Sequence, residues 1–266
     1  AAEVATLRAG MTALQASRLA GIGLASPSHI ERHLDRVGAP AEQAALWHGA
    51  DLAAEASRAI GAPVAWFNDG NAACWAEFIA RPEPRPRALA YFQVGTLVGA
   101  GIATDGLLWE GRTGNAANLG AILVPDAGGR PAYLHAIASI LALQRRIEAA
   151  GGALPPGEPT GWDWAALGAP AEAWLDDAGR ALANAVLNTR AVMELDLAVV
   201  DGVMPRPVVQ RLLERVDHHL DAMPCFAADR PAVAMGRMGG AAAATGAAQL
   251  LLFHCFFARA WNIFAT

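Results

Sequence analysis

The residues best equipped for chemistry stand in "FNDGNAA", residues 67–73. Asp69 follows the short apolar run "PVAWF", next to Asn68, and a helix is expected soon after. A carboxylate at the end of a strand can take the proton of a hydroxyl, and the neighbouring amide offers a polyol both a donor and an acceptor. Asp and Asn are also preferred helix N-caps, so spacing alone leaves catalysis and capping both open. The second candidate is "VGTLVGAGI", residues 94–102. Gly95, Gly99 and Gly101 permit tight turns or close backbone approach, and Thr96 adds a hydroxyl. The backbone N–H groups of such a loop can cradle phosphate. A strand rather than a helix is expected to follow, so this is neither a Walker loop nor a dinucleotide fingerprint. A third stretch, "RTGNAANLGA" (112–121), keeps the small turn-forming residues of a site but has no acid, imidazole or thiol.

The other reactive types narrow the chemistry. All 20 basic residues are arginine, which removes Schiff-base, P-loop and protein-kinase lysine mechanisms. None of the five serines sits in a G-x-S-x-G elbow. Cys74, Cys225 and Cys255 are too far apart for a metal or redox pair, and a reducing compartment is expected. His29 and His33 have i, i+4 spacing but no third ligand, and the adjacent His218 and His219 are expected to face solvent. His135 opens an apolar helix and reads as a surface or satisfied core residue. A net charge of −5 gives no clustered positive surface for nucleic acid.

These residues need elements to hold them. Helices are expected over 1–20, about 40–60, from "AACWAEFIA", over 133–150 and 169–194, from "RPVVQRLLERVDHHLDAM", and at the C-terminus. Strands are expected at "GIGLASPSHI", "PVAWF", "ALAYFQV", the meander through "LLWEG", "LAVVDG" and "RPAVAM". Their alternation implies an α/β protein with buried mixed sheets, and its strand-to-loop junctions at 67–71, 95–101 and 201–205 are natural ligand sites. Residues 239–257 carry no formal charge over a near-spanning length. Their first half is Ala, Gly and Thr, so a buried helix is expected rather than a membrane span. The first twenty residues have no signal-peptide layout, and a cytoplasmic location is expected.

In order, these segments resemble the ROK family (repressor, open reading frame, kinase). "GIGLASPSHI" is similar to its G-I-G-x-x-x-P-G turn, and "PVAWFNDGNAACWAE" to P-V-x-x-x-N-D-A-N-A-A-A-x-A-E. "VGTLVGAGIATDGLLWEGRTGNAANLG" resembles the phosphate-loop segment that ends in G-E-x-G-H, and "LAVVDG" and "TGAAQLLL" resemble later segments. The resemblance implies an actin-like ATPase / sugar-kinase (ribonuclease H-like) fold with two lobes. It implies an incomplete first lobe over 1–85 and a second lobe over 86–266, whose final helix packs back on the first. It also implies that Asp69 matches the general base of the family's kinases. Asn118 and His135 stand where those kinases present sugar-binding glutamates, and Ala121 where they present a zinc histidine. The zinc-knuckle cysteines have no counterpart in "VPDAGGRPAYLHAIAS", so no zinc and no other cofactor is expected. Leu97 and Ala100 replace phosphate-loop glycines, and the family's D-x-G-x-T motif and helix-turn-helix domain have no match in the chain.

With these losses the preferred expectation is a ROK-type transcriptional regulator, seen as its sugar-sensing and oligomerisation region. A sugar would sit near Asn68, Asp69, Asn118 and His135, beside a phosphate-loop-like Gly95, Thr96, Gly99 and Gly101. DNA would be reached only through a domain outside this chain, and a homodimer or tetramer is expected. The alternative is a zinc-free hexose kinase that uses ATP and magnesium with Asp69 as base. A third reading is a scaffold that only dimerises.

Overall fold

The computed structural model describes residues 2–32, 34, 38–224 and 230–257. His33, Cys225 and residues 258–266 lie outside the described residues. The N-terminal part runs α1 (Ala2–Ala9), α2 (Ala13–Ser17), β1 (Ile22–Ser26), α3 (Ala41–Trp47), α4 (Leu52–Ile60) and β2 (Val64–Asn68), then α5 (Asp69–Ile79). β1 and β2 pair in parallel, Ile22 against Val64 through Ser26 against Asn68.

The C-terminal part is built on a five-stranded sheet, β5-β4-β3-β8-β9, made of β3 (Ala88–Val94), β4 (Val98–Thr104), β5 (Leu107–Leu108), β8 (Leu197–Gly202) and β9 (Ala232–Met235). β3 and β4 are antiparallel, while β3, β8 and β9 are parallel. This mixed order is that of the ribonuclease H-like, actin-like ATPase and sugar-kinase fold. Between β5 and β8 lie a hairpin of β6 (Leu123–Pro125) and β7 (Pro131–Tyr133), then α6 (Leu134–Ala138), α7 (Ile140–Ala149) and α8 (Gly168–Met193). α9 (Arg206–Ala222) precedes β9, and α10 (Ala242–Phe256) follows it.

The sheet is covered on both faces, which explains why "ALAYFQV" is apolar almost throughout. Ala90, Phe92 and Val94 of β3 enter one core with α7, α8 and α9, while Leu89 and Tyr91 enter another with α5 and α10. β4 alternates likewise. Val98, Ala100 and Ile102 join the α8 side. Gly99 and Gly101 stand between them, and a Cβ on Gly101 would come within 2.5 Å of the Cys74 Cβ on α5. A Cβ on Gly70 would meet the Ala100 backbone at 2.4 Å. Bare backbone on both sides therefore lets the helix that begins at Asp69 sit directly on β4. α10 is seated by the same device, since a Cβ on Gly246 would fall 1.7 Å from the Ala72 carbonyl oxygen.

Several expected elements are divided by caps. The helix expected over 1–20 breaks at Thr12, which forms a capping box with Gln15. The one expected over 40–60 breaks where Gly49 takes positive φ and Asp51 caps α4. The one over 133–150 breaks at Ser139, whose hydroxyl accepts from the Ala142 N–H. The 239–257 stretch is half buried rather than buried. Ala242, Gly246, Ala247 and Leu250 are covered, but Leu252, Phe256 and Phe257 are exposed. By length and composition Gly239–Phe256 would be apolar enough to cross a bilayer, yet its first half packs against α5 and β1 as an element of the fold. His219 is not solvent-facing. It lies 3.2 Å from Asp176 and is 17% exposed, while His218 is exposed.

Candidate active site

The strand-to-helix junction at β2–α5 sets the site. Asn68 is the N-cap: its Oδ1 accepts from the Asn71 N–H at 3.0 Å, and its Nδ2 donates to Ser28 Oγ at 3.0 Å. The amide thus ties the cap to the 26–29 turn, and the capping reading holds for Asn68. Asp69 is the first helical residue, half-buried, and its Oδ1 accepts from the Gly70 N–H at 2.8 Å. Burial pushes its carboxyl above the usual carboxylate range, and hydrogen bonds from backbone N–H groups offset only part of that. A carboxyl shifted this way is a better proton acceptor when ionised.

A cleft of about 750 Å³ opens in front of Asp69. Asn68, Asp69, Gly95, Thr96, Gly99, Asn118 and His135 all line it, so residues far apart in sequence converge. Gly101 does not line it; its role is the close packing of β4 on α5. Ala100 lines the cleft but is only 6% exposed and packs with the core, so it crowds a phosphate less than its replacement of a glycine implies. The 95–97 turn is closed by the Gly95 N–H donating to the Leu97 carbonyl at 3.0 Å. The carbonyls of Gly95 and Thr96 accept from Ile140 and Leu141 at the start of α7.

The 112–121 stretch is held over this junction. Asn71 Nδ2 donates to the Gly114 carbonyl at 3.0 Å, and Gly114 and Ala117 both take positive φ. Asn118 is exposed at the rim, and its side chain makes no capping bond. His135 Nδ1 accepts from the Val98 N–H at 3.1 Å, which places the proton of the neutral ring on Nε2. Gly120 is required there, because a Cβ would lie 2.2 Å from His135 Cε1 and 2.4 Å from the Val98 oxygen. Gln93, Ser26, Ser28 and His29 also line the cleft and were not among the expected site residues. Gln93 carried a signal, as the polar residue inside an otherwise apolar strand.

The residues where the family's zinc would stand do not fit the metal. Ala121 offers no ligand. The β6–β7 turn is closed instead by Asp126, whose carboxylate accepts from the N–H groups of Gly128 and Arg130 and from the Arg130 side chain. Arg180 donates to the Asp126 carbonyl at 2.8 Å. Among the described residues, no group of three or more His, Cys, Asp or Glu could hold a metal ion. The hairpin itself was not expected, because a metal knuckle is usually written in cysteines and this turn is written in one aspartate and one arginine, with Arg180 of α8 bonded to it.

Comparison with known proteins now bears on what this cleft does. Residues 3–253 match the profile of the ROK family. The chain belongs to the ROK family. An N-acetylmannosamine kinase of Vibrio cholerae is 30% identical over 167 residues, 61% of this chain and 57% of that protein. The chain therefore spans little more than half the length of these curated relatives. Among solved structures, the ROK hexokinase of Thermus thermophilus superposes with a TM-score of 0.65 at 24% identity, covering 95% of this chain and 86% of the hexokinase. A ROK glucokinase of Streptomyces griseus, solved with glucose and AMPPNP, gives a TM-score of 0.57 at 21% identity over 75% and 71% of the two chains. These superpositions establish the fold. The expectation of a transcriptional regulator is overturned by the sequence relatives, which carry the names of sugar kinases. Weakened phosphate and metal motifs had pointed away from catalysis, but the sequence relatives carry the names of kinases.

Proposed function

We propose that this chain acts as an ATP-dependent sugar kinase. The observation that carries the reading is Asp69, at the first turn of α5, with its carboxyl raised by burial and facing a cleft that also holds the 95–99 loop. In this reaction the oxygen of a sugar hydroxyl bonds to the γ-phosphorus of ATP. The bond from that phosphorus to the bridging oxygen breaks, ADP leaves with its electron pair, and Asp69 takes the hydroxyl proton. Asn118 and His135 would orient the sugar, and Asn68 would act through the cap that fixes Asp69. Gly95, Thr96 and Gly99 would face the phosphates, and magnesium would enter with the nucleotide. Among the described residues, the cleft lining contains one acidic side chain and no arginine, which favours a neutral sugar over a sugar phosphate. The names of the sequence relatives make N-acetylmannosamine the first substrate to try, followed by glucose and other hexoses. A coupled assay of ADP release against a panel of neutral sugars tests this. Sugar-dependent release is expected, and its absence with every sugar at high enzyme concentration would end the proposal.

A further inference from the structure

α5 carries a second carboxylate that the proposed chemistry does not use. Glu77 has no exposed side-chain surface. Its Oε1 accepts from the N–H groups of Arg237 and Met238, both at 2.6 Å, and its Oε2 from Arg81 at 3.2 Å. The two backbone donors belong to the loop between β9 and α10. Buried Asp201, at the end of β8, takes the next donor: its Oδ2 accepts from the Gly239 N–H at 3.0 Å. Three successive N–H groups of one loop are therefore held by two buried carboxylates from different elements. The loop's carbonyls are held as well, Met235 by Arg81 and Gly236 by Arg206, each at 3.2 Å. Gly236 has no room for a side chain, since a Cβ would lie 2.2 Å from Asp201 Oδ2.

Burying two acids and an arginine is unfavourable unless they are fully bonded, and a loop needs far less than this to stay folded. The connected elements suggest what the arrangement does. α5 starts at Asp69. α10 carries Ala243 and the β8 end leads to Val203, and both of those residues line the same cleft as Asp69. Glu77 thus ties the helix that begins at Asp69 to the loop that leads into α10.

We infer that Glu77 is a positioning residue, which fixes Asp69 relative to the part of the cleft lining contributed by Val203 and Ala243 by clamping the 236–239 loop to α5. This rests on the kinase reading for its catalytic consequence, but not for the clamp itself. The test uses the full-length protein with Glu77→Gln, which keeps the shape and removes the charge, and Arg206→Met, which releases the loop from its exposed side. Two readouts are taken: amide hydrogen exchange by mass spectrometry, and steady-state ADP release. Glu77→Gln is expected to speed exchange of amides 237–239 by at least about tenfold, with those of residues 89–94 unchanged. It is also expected to lower kcat by about tenfold or more, while the KM for sugar stays within about twofold. Arg206→Met is expected to move both in the same direction by less, and it decides the matter if Glu77→Gln does not fold. Unchanged exchange at 237–239 in both variants overturns the clamp. Faster exchange with unchanged kcat overturns the positioning role. If the wild type releases no ADP with any sugar, the kinase reading falls and the catalytic consequence with it, while the exchange result still decides the clamp.

Discussion

Asp69 and Glu77 lie about two turns apart on one helix and are treated in opposite ways. Glu77 is wholly buried and its two oxygens meet three donors. Asp69 is only half-buried, yet desolvation outweighs the backbone N–H groups that reach it, and its carboxyl is pushed up. One acid is bonded until it is architecture. The other is left short of partners at a cleft, where the cost of ionising it is the source of its basicity. Under-bonding at a cleft, rather than burial alone, is what favours Asp69 over Glu77 as the proposed base.

The contrast can be broken by mutation. Asp69→Asn should lower the rate of sugar phosphorylation by about 10²- to 10⁴-fold, the usual worth of a general base, with a far-ultraviolet circular dichroism spectrum like that of the wild type. Glu77→Ala should cost about 3–5 kcal/mol of stability in urea unfolding, because it strands a buried Arg81 and two loop N–H groups. Asp69→Asn should do the reverse. The folded-state pKa of Asp69 is raised, so its contribution to stability is present at acid pH and is lost as pH rises through that pKa. At neutral pH the asparagine variant should therefore melt above the wild type, and the gap should close as pH falls toward about 4. For the same reason the acidic limb of the wild-type pH–rate profile should lie above the ordinary carboxylate range. Asn118→Ala should be milder, raising the KM for sugar by about three- to tenfold with kcat little changed, as expected for one neutral hydrogen bond at an exposed rim. The smallest effect expected is from EDTA, which should leave the melting temperature unchanged because Asp126, Arg130 and Arg180 close the turn without a metal.

Much of this was legible in the sequence, and the rest was not, for definite reasons. The strand at 88–94 and the helix over 168–193 were readable because an apolar run or a long period survives any tertiary context. The divided helices were less so, since Thr12, Asp51 and Ser139 are short polar residues whose capping role depends on where the chain turns. Residues 67–71 could be named as a ligand site, but the division of labour between Asn68 as cap and Asp69 as acid required the hydrogen bonds. Gly101 was placed with the phosphate loop because a glycine in a string says only that space is needed, and here the space belongs to Cys74. The Glu77 clamp was invisible because its partners lie roughly 160 residues downstream and are backbone atoms, which carry no letter in the sequence. The preference for a regulator came from weighing lost motifs above retained ones.

The most direct test of the central claim is to identify the product. The full-length protein is incubated with ATP, magnesium and N-acetylmannosamine, and separately with glucose, and the sugars are read by mass spectrometry. The account predicts a sugar one phosphoryl group heavier with the wild type and almost none with Asp69→Asn. No phosphorylated sugar from the wild type, or equal amounts from both proteins, would contradict it.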